Sequence, residues 1–274
     1  MPSTFAHYKI GEEVRGELKE NIREAIEEYP ELYLIGLHGP DILFYYKPLY
    51  SNEVNRIGFK LHERPGKDFF ENAKRIINRH DNDNRYLAYI YGVINHFSLD
   101  VTCHPYIDEK IDKSGISHGE IEVEFDRELM IIEGMNPIRQ SLVDHIIPSM
   151  ENANVIKEFY DSVSEKQVYK ALKSMIFYNK LLVAPSIIKR IFIYLLLKIT
   201  GNYKEMSGLI VNYNKNFNCN DSTLKLLHLF EKAKKLSIEL INEFNMNLNG
   251  DSKLSDIYKH TFGGKVIWEE SYEV

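Results

Sequence analysis

The chain has 274 residues and a formal charge of −6, from 34 basic and 40 acidic residues. This length is enough for one large domain or two small ones, and the acidic balance gives no broad positive surface for nucleic acid. The two cysteines, Cys103 and Cys219, are too few for a disulfide framework and fit a reducing compartment. Since the first residues also lack an apolar signal segment, we expect a cytoplasmic protein, with non-classical export as the alternative.

The first half of the chain is predicted to be helical, with short polar connections. Spacing of apolar residues and the positions of proline and glycine predict helices over 12–29, after Gly39-Pro40, over 68–79, from Tyr86 onward and over 118–130. Loops are predicted over 50–67, 80–84 and 108–117. The acidic and amide residues of 80–84 should cap the central helix that follows them.

The second half continues in the same way. Helices are predicted over 137–150, 152–162, 165–180, 186–199 and 223–248. The run at 187–199 is the most apolar of the chain, but it is interrupted by Lys189 and Arg190 and is too short to span a bilayer, so we expect a buried helix. No sustained strand alternation and no internal repeat are found. The expected fold is therefore mainly α, a single multi-helix bundle.

The central helix carries a regular series of metal-binding side chains. His96, Asp100 and His104 follow one another at steps of four, and His118 and Glu122 repeat that step after the loop. Residues four apart lie on one face of a helix, so each series can close on a cation. The first series lies in an otherwise apolar segment, where unpaired imidazoles and carboxylates would cost several kcal/mol. The pattern thus favours a metal site over ordinary surface pairs.

Three further residues are candidates of a weaker kind. His7 lies near the start of the chain, Asp41 follows Gly39-Pro40, and His62 lies in a predicted loop. From the residues alone, a solvated terminus, a helix cap and a surface position explain them equally well or better.

The segments HFSLDVTCHP and SHGEIEVEFDR resemble the metal-binding core of the zinc-dependent phospholipase C family. That family includes the bacterial phosphatidylcholine-cleaving enzymes and the clostridial alpha-toxin. Its pattern is H-x3-D, then a His followed by Pro, then H-x3-E, and His7, Asp41 and His62 occur in the family's order. The resemblance implies a helical bundle of the type that single-strand nucleases share, with residues 1–200 as the zinc-binding catalytic domain. Residues 201–274 are expected to form a helical extension packed on it.

The resemblance also implies a set of ligands for three zinc ions. The first set is Asp41, His62, His96 and Asp100. The second set is His104, His118 and Glu122. The third set is His7, Asp100 and the N-terminal amine and carbonyl. Two ions are expected to bind firmly and the third more weakly, because the chain begins Met1-Pro2 where the secreted members carry a tryptophan.

The implied activity is phosphodiester hydrolysis by a metal-activated water, as a phospholipase C acting on a glycerophospholipid head group, with Asp41 orienting or deprotonating the water. The expected partners are a phospholipid or other phosphodiester and a transient contact with a membrane surface, rather than nucleic acid. Aromatic candidates to line a head-group cleft, with core packing as the alternative, are Phe44, Tyr45, Tyr46, Phe59 and Tyr106. A nuclease-like phosphodiesterase and a non-catalytic, metal-stabilised helical protein remain as alternative functions.

Overall fold

The computed structural model describes residues 4–248 and 253–266, and these residues form helices and connecting segments without a β-strand. The predicted mainly α fold is therefore confirmed. The α-helices of the described residues are α1 (Thr4–Arg15), α2 (Glu20–Glu28), α3 (Pro30–Gly36), α4 (Glu53–Glu63), α5 (Gly66–Arg79), α6 (Asn84–Ser114), α7 (His118–Ile132), α8 (Met150–Lys157), α9 (Glu165–Leu182), α10 (Ile187–Ile199), α11 (Tyr203–Met206) and α12 (Asn220–Met246). Short 3-10 helices span Gly39–Tyr45, Ser207–Leu209, Phe217–Cys219 and Asp256–Lys259.

Helix α6 is the centre of the bundle, and every residue from Tyr86 to Val101 is buried. It begins after Asp83, whose carboxylate accepts a hydrogen bond from the Arg85 N–H at 2.8 Å. The loop predicted over 108–117 is wrong, because α6 continues to Ser114. Ile107 and Ile111 extend its apolar face onto the core, which leaves 115–117 as the connection to α7.

Helices α3 and α12 pack along α6. The approach of α3 is close because a Cβ at Gly36 would lie only 2.2 Å from the carbonyl oxygen of Tyr89. On the α12 side, the Ser237 hydroxyl donates to Asn95 Oδ1 at 2.6 Å within the buried core. The last helix therefore shares the core of α6, while the expected division of the chain near residue 200 stays a prediction.

Two predictions near the N-terminus are wrong. The helix expected over 12–29 is split into α1 and α2, because Lys19 takes an extended conformation (φ −61°, ψ 151°) before α2 begins. The loop expected over 50–67 contains α4. Its start is stabilised by a capping box, in which the Asn52 side chain accepts hydrogen bonds from Val54 N and Asn55 N. Helix α5 confirms the helix predicted over 68–79.

The helix predicted over 137–150 is also wrong, because the segment between α7 and α8 is irregular in the structure. Pro137 and Pro148 lack the N–H that a helix interior requires. Helix α8 begins only at Met150, where the Ser149 side chain accepts a hydrogen bond from Asn152 N. The helix predicted after Gly39-Pro40 is the 3-10 helix Gly39–Tyr45, and the other predicted helices correspond to α6, α7, α8, α9, α10 and α12, with α8 ending earlier than expected.

Helix α10 forms as predicted, but it is not buried. Ile188 is 77% exposed and Ile199 is 74% exposed, and only one edge of the helix contacts the protein. Among the described residues, no helix is both long and apolar enough to cross a membrane.

Candidate metal centre

Helix α6 carries the row of predicted ligands from the core to the surface. The side chains of His96, Asp100 and His104 are 0%, 3% and 12% exposed, respectively. Their spacing of four residues places them one above another on the same face. Side chains from α1, the 3-10 helix at Gly39–Tyr45, α4 and α7 meet this row.

Asp41 and His62 meet the inner end of the row at His96. Asp41 Oδ1 lies 3.0 Å from His62 Nε2 and 4.0 Å from His96 Nε2. The other ring nitrogen of His62, Nδ1, lies 2.8 Å from the Gly58 carbonyl oxygen, to which it can only donate. Nε2 is therefore the His62 nitrogen that faces Asp41, and in the neutral ring it is the one whose lone pair is available to a metal ion.

Glycine is required where the backbone before Asp41 passes over His96. Gly39 has a φ of +47°, and a Cβ at this position would lie 2.5 Å from Cδ2 of the His96 ring. This close passage brings the Asp41 carboxylate to the face of α6.

His7 approaches the same region from α1. Its Nε2 lies 3.4 Å from Asp100 Oδ1, and its ring stacks on His96 with the centroids 4.3 Å apart. The start of α1 is held by α7, because the Asp126 carboxylate accepts hydrogen bonds from Phe5 N at 3.0 Å and Ala6 N at 2.8 Å. Asp126 thus acts as a cap from another helix and sets the position of His7, the next residue of the same turn.

His104 forms a group with two residues of α7 at the outer end of the row. Glu122 Oε1 lies 2.9 Å from His118 Nε2 and 3.5 Å from His104 Nε2. His104 Nε2 is also 3.6 Å from Asp100 Oδ1, so Asp100 lies between the outer group and His7.

The donor atoms of the centre have the properties of cation ligands. Several are buried and have no hydrogen-bond partner of acceptable geometry, although oppositely polarised atoms are close: His7 Nδ1, Asp41 Oδ1, His96 Nδ1 and Nε2, Asp100 Oδ2 and Glu122 Oε2. Each buried group left in this way costs about 1–3 kcal/mol. In each of three groups the donor atoms lie within 4.8 Å of one another. Imidazole nitrogens and carboxylate oxygens are the ligand types that zinc accepts, so the residues fit zinc.

Mutual electrostatics keep the carboxylates of the centre ionised. Burial by itself would raise the pKa of Asp41, but the His96 and His62 imidazoles outweigh it and hold that pKa below its usual range. The pKa values of Asp100 and Glu122 are lowered in the same way, against burial, by the neighbouring histidines. Burial would lower the pKa of His104, but Asp100 and Glu122 raise it to about 9. Such a site favours positive charge in its interior.

All eight predicted ligand residues lie in these three groups, with one difference in their arrangement. The groups are His7 with His96 and Asp100; Asp41 with His62 and His96; and His104 with His118 and Glu122. His96 is thus shared by two groups, whereas the resemblance assigned Asp100 as the shared ligand. The expected contribution of the N-terminal amine and carbonyl lies outside the described residues. The assignment of each side chain to an ion stays a prediction.

A polar cleft with a volume of about 350 Å³ opens at His62, His104 and His118. The sequence did not reveal that the far end of the chain forms part of its wall, through Thr261, Gly263, Lys265 and neighbouring residues. This end is attached by backbone hydrogen bonds, including Gly66 N to the His260 carbonyl oxygen at 2.8 Å. Phe262 packs against both His62 and His96, with ring centroids 5.9 Å apart in each case. The apolar residues Leu254, Ile257, Tyr258 and Phe262, spaced through a polar segment, were the signal that the sequence offered.

A second groove of about 460 Å³, here called the apolar groove because aromatic and aliphatic side chains contribute to its lining, also reaches His118. Its lining includes Phe44, Phe59, Met206 and Leu209. Two of the aromatic residues predicted to line a cleft, Phe44 and Phe59, do so here. The others pack against the core, since Tyr45 is buried and Tyr46 and Tyr106 are partly buried against it.

Comparison with known proteins supports a single family. A model of the family described as zinc dependent phospholipase C matches residues 6–177, which include the eight residues of the centre. No curated protein and no solved structure matches the chain.

Proposed function

Because the chain belongs to the zinc-dependent phospholipase C family, we propose that it hydrolyses phosphodiesters with zinc and acts as a phospholipase C on a glycerophospholipid head group. The observation that carries this proposal is the set of three donor groups, linked through His96 and Asp100 and opening at His118 onto a cleft. A purely structural metal site is closed, whereas the His118 side chain is 36% exposed.

Each donor group would contribute ligands to a different zinc ion. Asp41, His62 and His96 would hold one ion, and His104, His118 and Glu122 a second. His7 and Asp100 would contribute to a third, since the single lone pair of a neutral His96 ring can serve only one ion. Bound zinc supplies Lewis acidity, which acidifies water and neutralises charge developing on a phosphoryl group.

Asp41 is the proposed proton acceptor for the attacking water. Its carboxylate is ionised at neutral pH, since His96 and His62 hold its pKa below the usual range despite burial. Its Oδ1 faces the imidazoles of His62 and His96, at 3.0 Å and 4.0 Å from their Nε2 atoms, and would be available to orient a water and take its proton once those nitrogens hold zinc. These surroundings support the role that the family resemblance implies for this residue.

The two cavities that meet at His118 fit an amphiphilic substrate. The polar cleft carries Lys265, Thr261 and the ligand histidines, which suit a phosphate, and also Glu63 and Asp108, whose carboxylates suit a cationic head group rather than a phosphate. The apolar groove lined by Phe44 and Phe59 suits the glyceride part of a lipid. This arrangement supports a phospholipid over a nucleic acid, for which the net charge of −6 is also unfavourable.

A panel of three substrates tests the proposal with protein loaded with zinc. The probes are a chromogenic phosphodiester of choline, a short-chain phosphatidylcholine and a single-stranded oligonucleotide. We expect turnover of the first two, with release of the phosphorylated head group, and loss of turnover after chelation. Hydrolysis of the oligonucleotide alone would favour the nuclease alternative. Full zinc loading without turnover of any probe would favour the metal-stabilised, non-catalytic alternative.

A further inference from the structure

Helix α10 presents a continuous apolar face to solvent. The exposed fractions of Ile187, Ile188, Ile191, Phe192, Leu195 and Ile199 lie between 55% and 77%. Exposed apolar residues are common singly, but six on one helix form a patch of the kind that marks an interaction site. The helix lies outside residues 6–177, the part of the chain that matches the family model.

The opposite edge of α10 is firmly anchored, which fixes the direction of the apolar face. Ile193 and Leu197 are buried in a small cluster with Ala184 and Ile210. The buried Arg190 donates hydrogen bonds to the Ala184 carbonyl oxygen at 2.8 Å and to the Val211 carbonyl oxygen at 2.6 Å. The apolar face is therefore exposed on a helix whose other edge is anchored to the protein.

The charge around α10 has the opposite sign to that of the whole protein. Residues 166–204 contain eight basic residues and no Asp or Glu, although the chain as a whole carries −6. On the preceding helix, α9, the exposed residues repeat every three or four positions and so form one stripe: Lys166, Lys170, Lys173, Phe177 and Lys180. Of these, Lys180 is paired with Asp144, at 3.4 Å between Nζ and Oδ1. Lys189 Nζ joins the two helices by donating to the Lys180 and Val183 carbonyl oxygens. A basic stripe thus leads directly to an exposed apolar face.

We propose that α10 is an interfacial helix, which lies in the plane of a lipid bilayer that contains anionic lipids and inserts its apolar face among them. Its 13 residues extend about 20 Å, too short to span the hydrocarbon core but typical of a helix lying in the interface. Lysines beside an apolar face add attraction to anionic head groups. A second copy of the chain fits less well, because pairing through this face would bring two basic stripes together.

The position of α10 also connects the membrane to the metal centre. Asn202, Lys204 and Met206, which follow the end of α10, line the apolar groove that reaches His118. A bilayer held by α10 would lie next to that groove, so a lipid could pass from one to the other. This last step rests on the proposed phospholipase function, whereas binding to the bilayer does not.

Vesicle flotation tests the proposal on the full-length protein. The vesicles are phosphatidylcholine alone, or phosphatidylcholine with 30% phosphatidylglycerol, each at low and high salt. We expect flotation with the anionic vesicles, weakened by salt. The variant Ile188→Ser/Ile191→Ser should lose at least tenfold in apparent affinity, and Lys170→Gln/Lys173→Gln should lose the preference for anionic lipid. The matched control is Leu224→Ser/Met246→Ser, since both side chains are 70% exposed but lie on α12.

The outcomes separate this inference from the proposed function. Hydrolysis of the soluble choline diester by Ile188→Ser/Ile191→Ser at the unaltered rate would show that its metal centre is intact. Flotation without any hydrolysis would support the interfacial helix while contradicting the phospholipase. Hydrolysis without flotation, or equal flotation of the α10 variant and the wild type, would overturn the interfacial helix. A third result would also overturn the interfacial helix. In it, sedimentation analysis shows a dimer that does not bind vesicles, and the α10 substitutions dissociate that dimer.

Discussion

Single residues orient the ligand side chains of the centre in the metal-free protein. The Gly58 carbonyl oxygen fixes the tautomer of His62, and the close passage of Gly39 over His96 brings Asp41 to the row on α6. Preorganisation of this kind reduces the free energy needed to order the ligands around an ion.

Substitution of Asp41 separates catalysis from folding. Asp41→Asn keeps size and polarity but removes the charge that holds zinc and accepts the proton of water. We expect the hydrolysis rate to fall about 10²–10⁴-fold, the range for loss of a general base. The helical circular dichroism signal should persist. Asp161→Asn, an exposed carboxylate, is the control and should match the wild type. Equal loss of helical structure and activity in Asp41→Asn would contradict a catalytic role.

Binding of zinc should release protons near neutral pH. Asp100 and Glu122 outweigh burial and raise the pKa of His104 to about 9 in the metal-free protein, so this imidazole is protonated at neutral pH. A metal ligand must be neutral, and zinc affinity should therefore increase with pH up to about 9. Calorimetric titration in PIPES and in HEPES should give different apparent enthalpies, because these two weakly coordinating buffers take up the released proton with different heats. Identical enthalpies would contradict the assignment of His104.

The raised pKa of His104 also determines how the stability of the metal-free protein depends on pH. Its folded pKa lies above the unfolded value of about 6.5, so it contributes stability that is complete below that pH. This contribution is lost as the pH rises through about 9. Zinc should remove this dependence by displacing the proton.

Ligands in sequence-local series were predictable, and those brought together by tertiary structure were not. His96, Asp100 and His104, like His118 and Glu122, are four residues apart on helices, so spacing alone places them on one face. His7, Asp41 and His62 approach from separate elements. Nothing in their local sequence distinguishes them from a cap or a surface residue, and only the family resemblance singled them out.

Among the elements, α1 depends on a cap supplied by α7. Asp126 accepts two hydrogen bonds from the first turn of α1 and so positions His7. Asp126→Ala would leave both N–H groups without an acceptor and should lower the free energy of unfolding by about 1–3 kcal/mol. Zinc stoichiometry should fall by the ion that His7 helps to hold. Denaturant unfolding and metal analysis would measure these effects, with the exposed Asp112→Ala on α6 as the control. Unaltered stability would contradict the capping role.

Elements with a strong apolar period were predicted well, and those defined by caps were not. Helix α4 has a polar surface and few buried residues, and only the capping box at Asn52 indicates its start. The segment over 137–150 shows the opposite error, since its apolar residues repeat at helical spacing but its prolines prevent a helix. Helix α10 formed as expected, but hydrophobicity alone does not indicate whether another element covers a face.

At the scale of the whole molecule, the end of the chain returns to the metal centre. Phe262 is fully buried and packs on His62, His96 and Phe97. Such a contact spans most of the chain length, and therefore no local pattern could predict it.

The predicted cytoplasmic location concerns the whole molecule as well, and it stays a prediction that cell fractionation can test.

Removal of the Phe262 ring should affect both stability and zinc binding. Phe262→Ala leaves a cavity in the core and should lower the free energy of unfolding by about 3–5 kcal/mol. Zinc affinity should decrease too, because the ring helps to fix two ligand imidazoles. Phe217→Ala is the matched control, since Phe217 is 78% exposed, and it should change stability by less than about 0.5 kcal/mol. A stability loss in Phe262→Ala with unaltered zinc affinity would show that the ring does not position the ligands.

The metal content of the protein tests the central claim most directly. The three donor groups predict that protein prepared without chelators contains at least two zinc ions per chain by elemental analysis, with a third bound more weakly. His96→Ala, which removes a ligand shared by two groups, should lower this number, while the exposed His228→Ala should not. A content well below one zinc per chain, with no other metal in its place, would contradict the account.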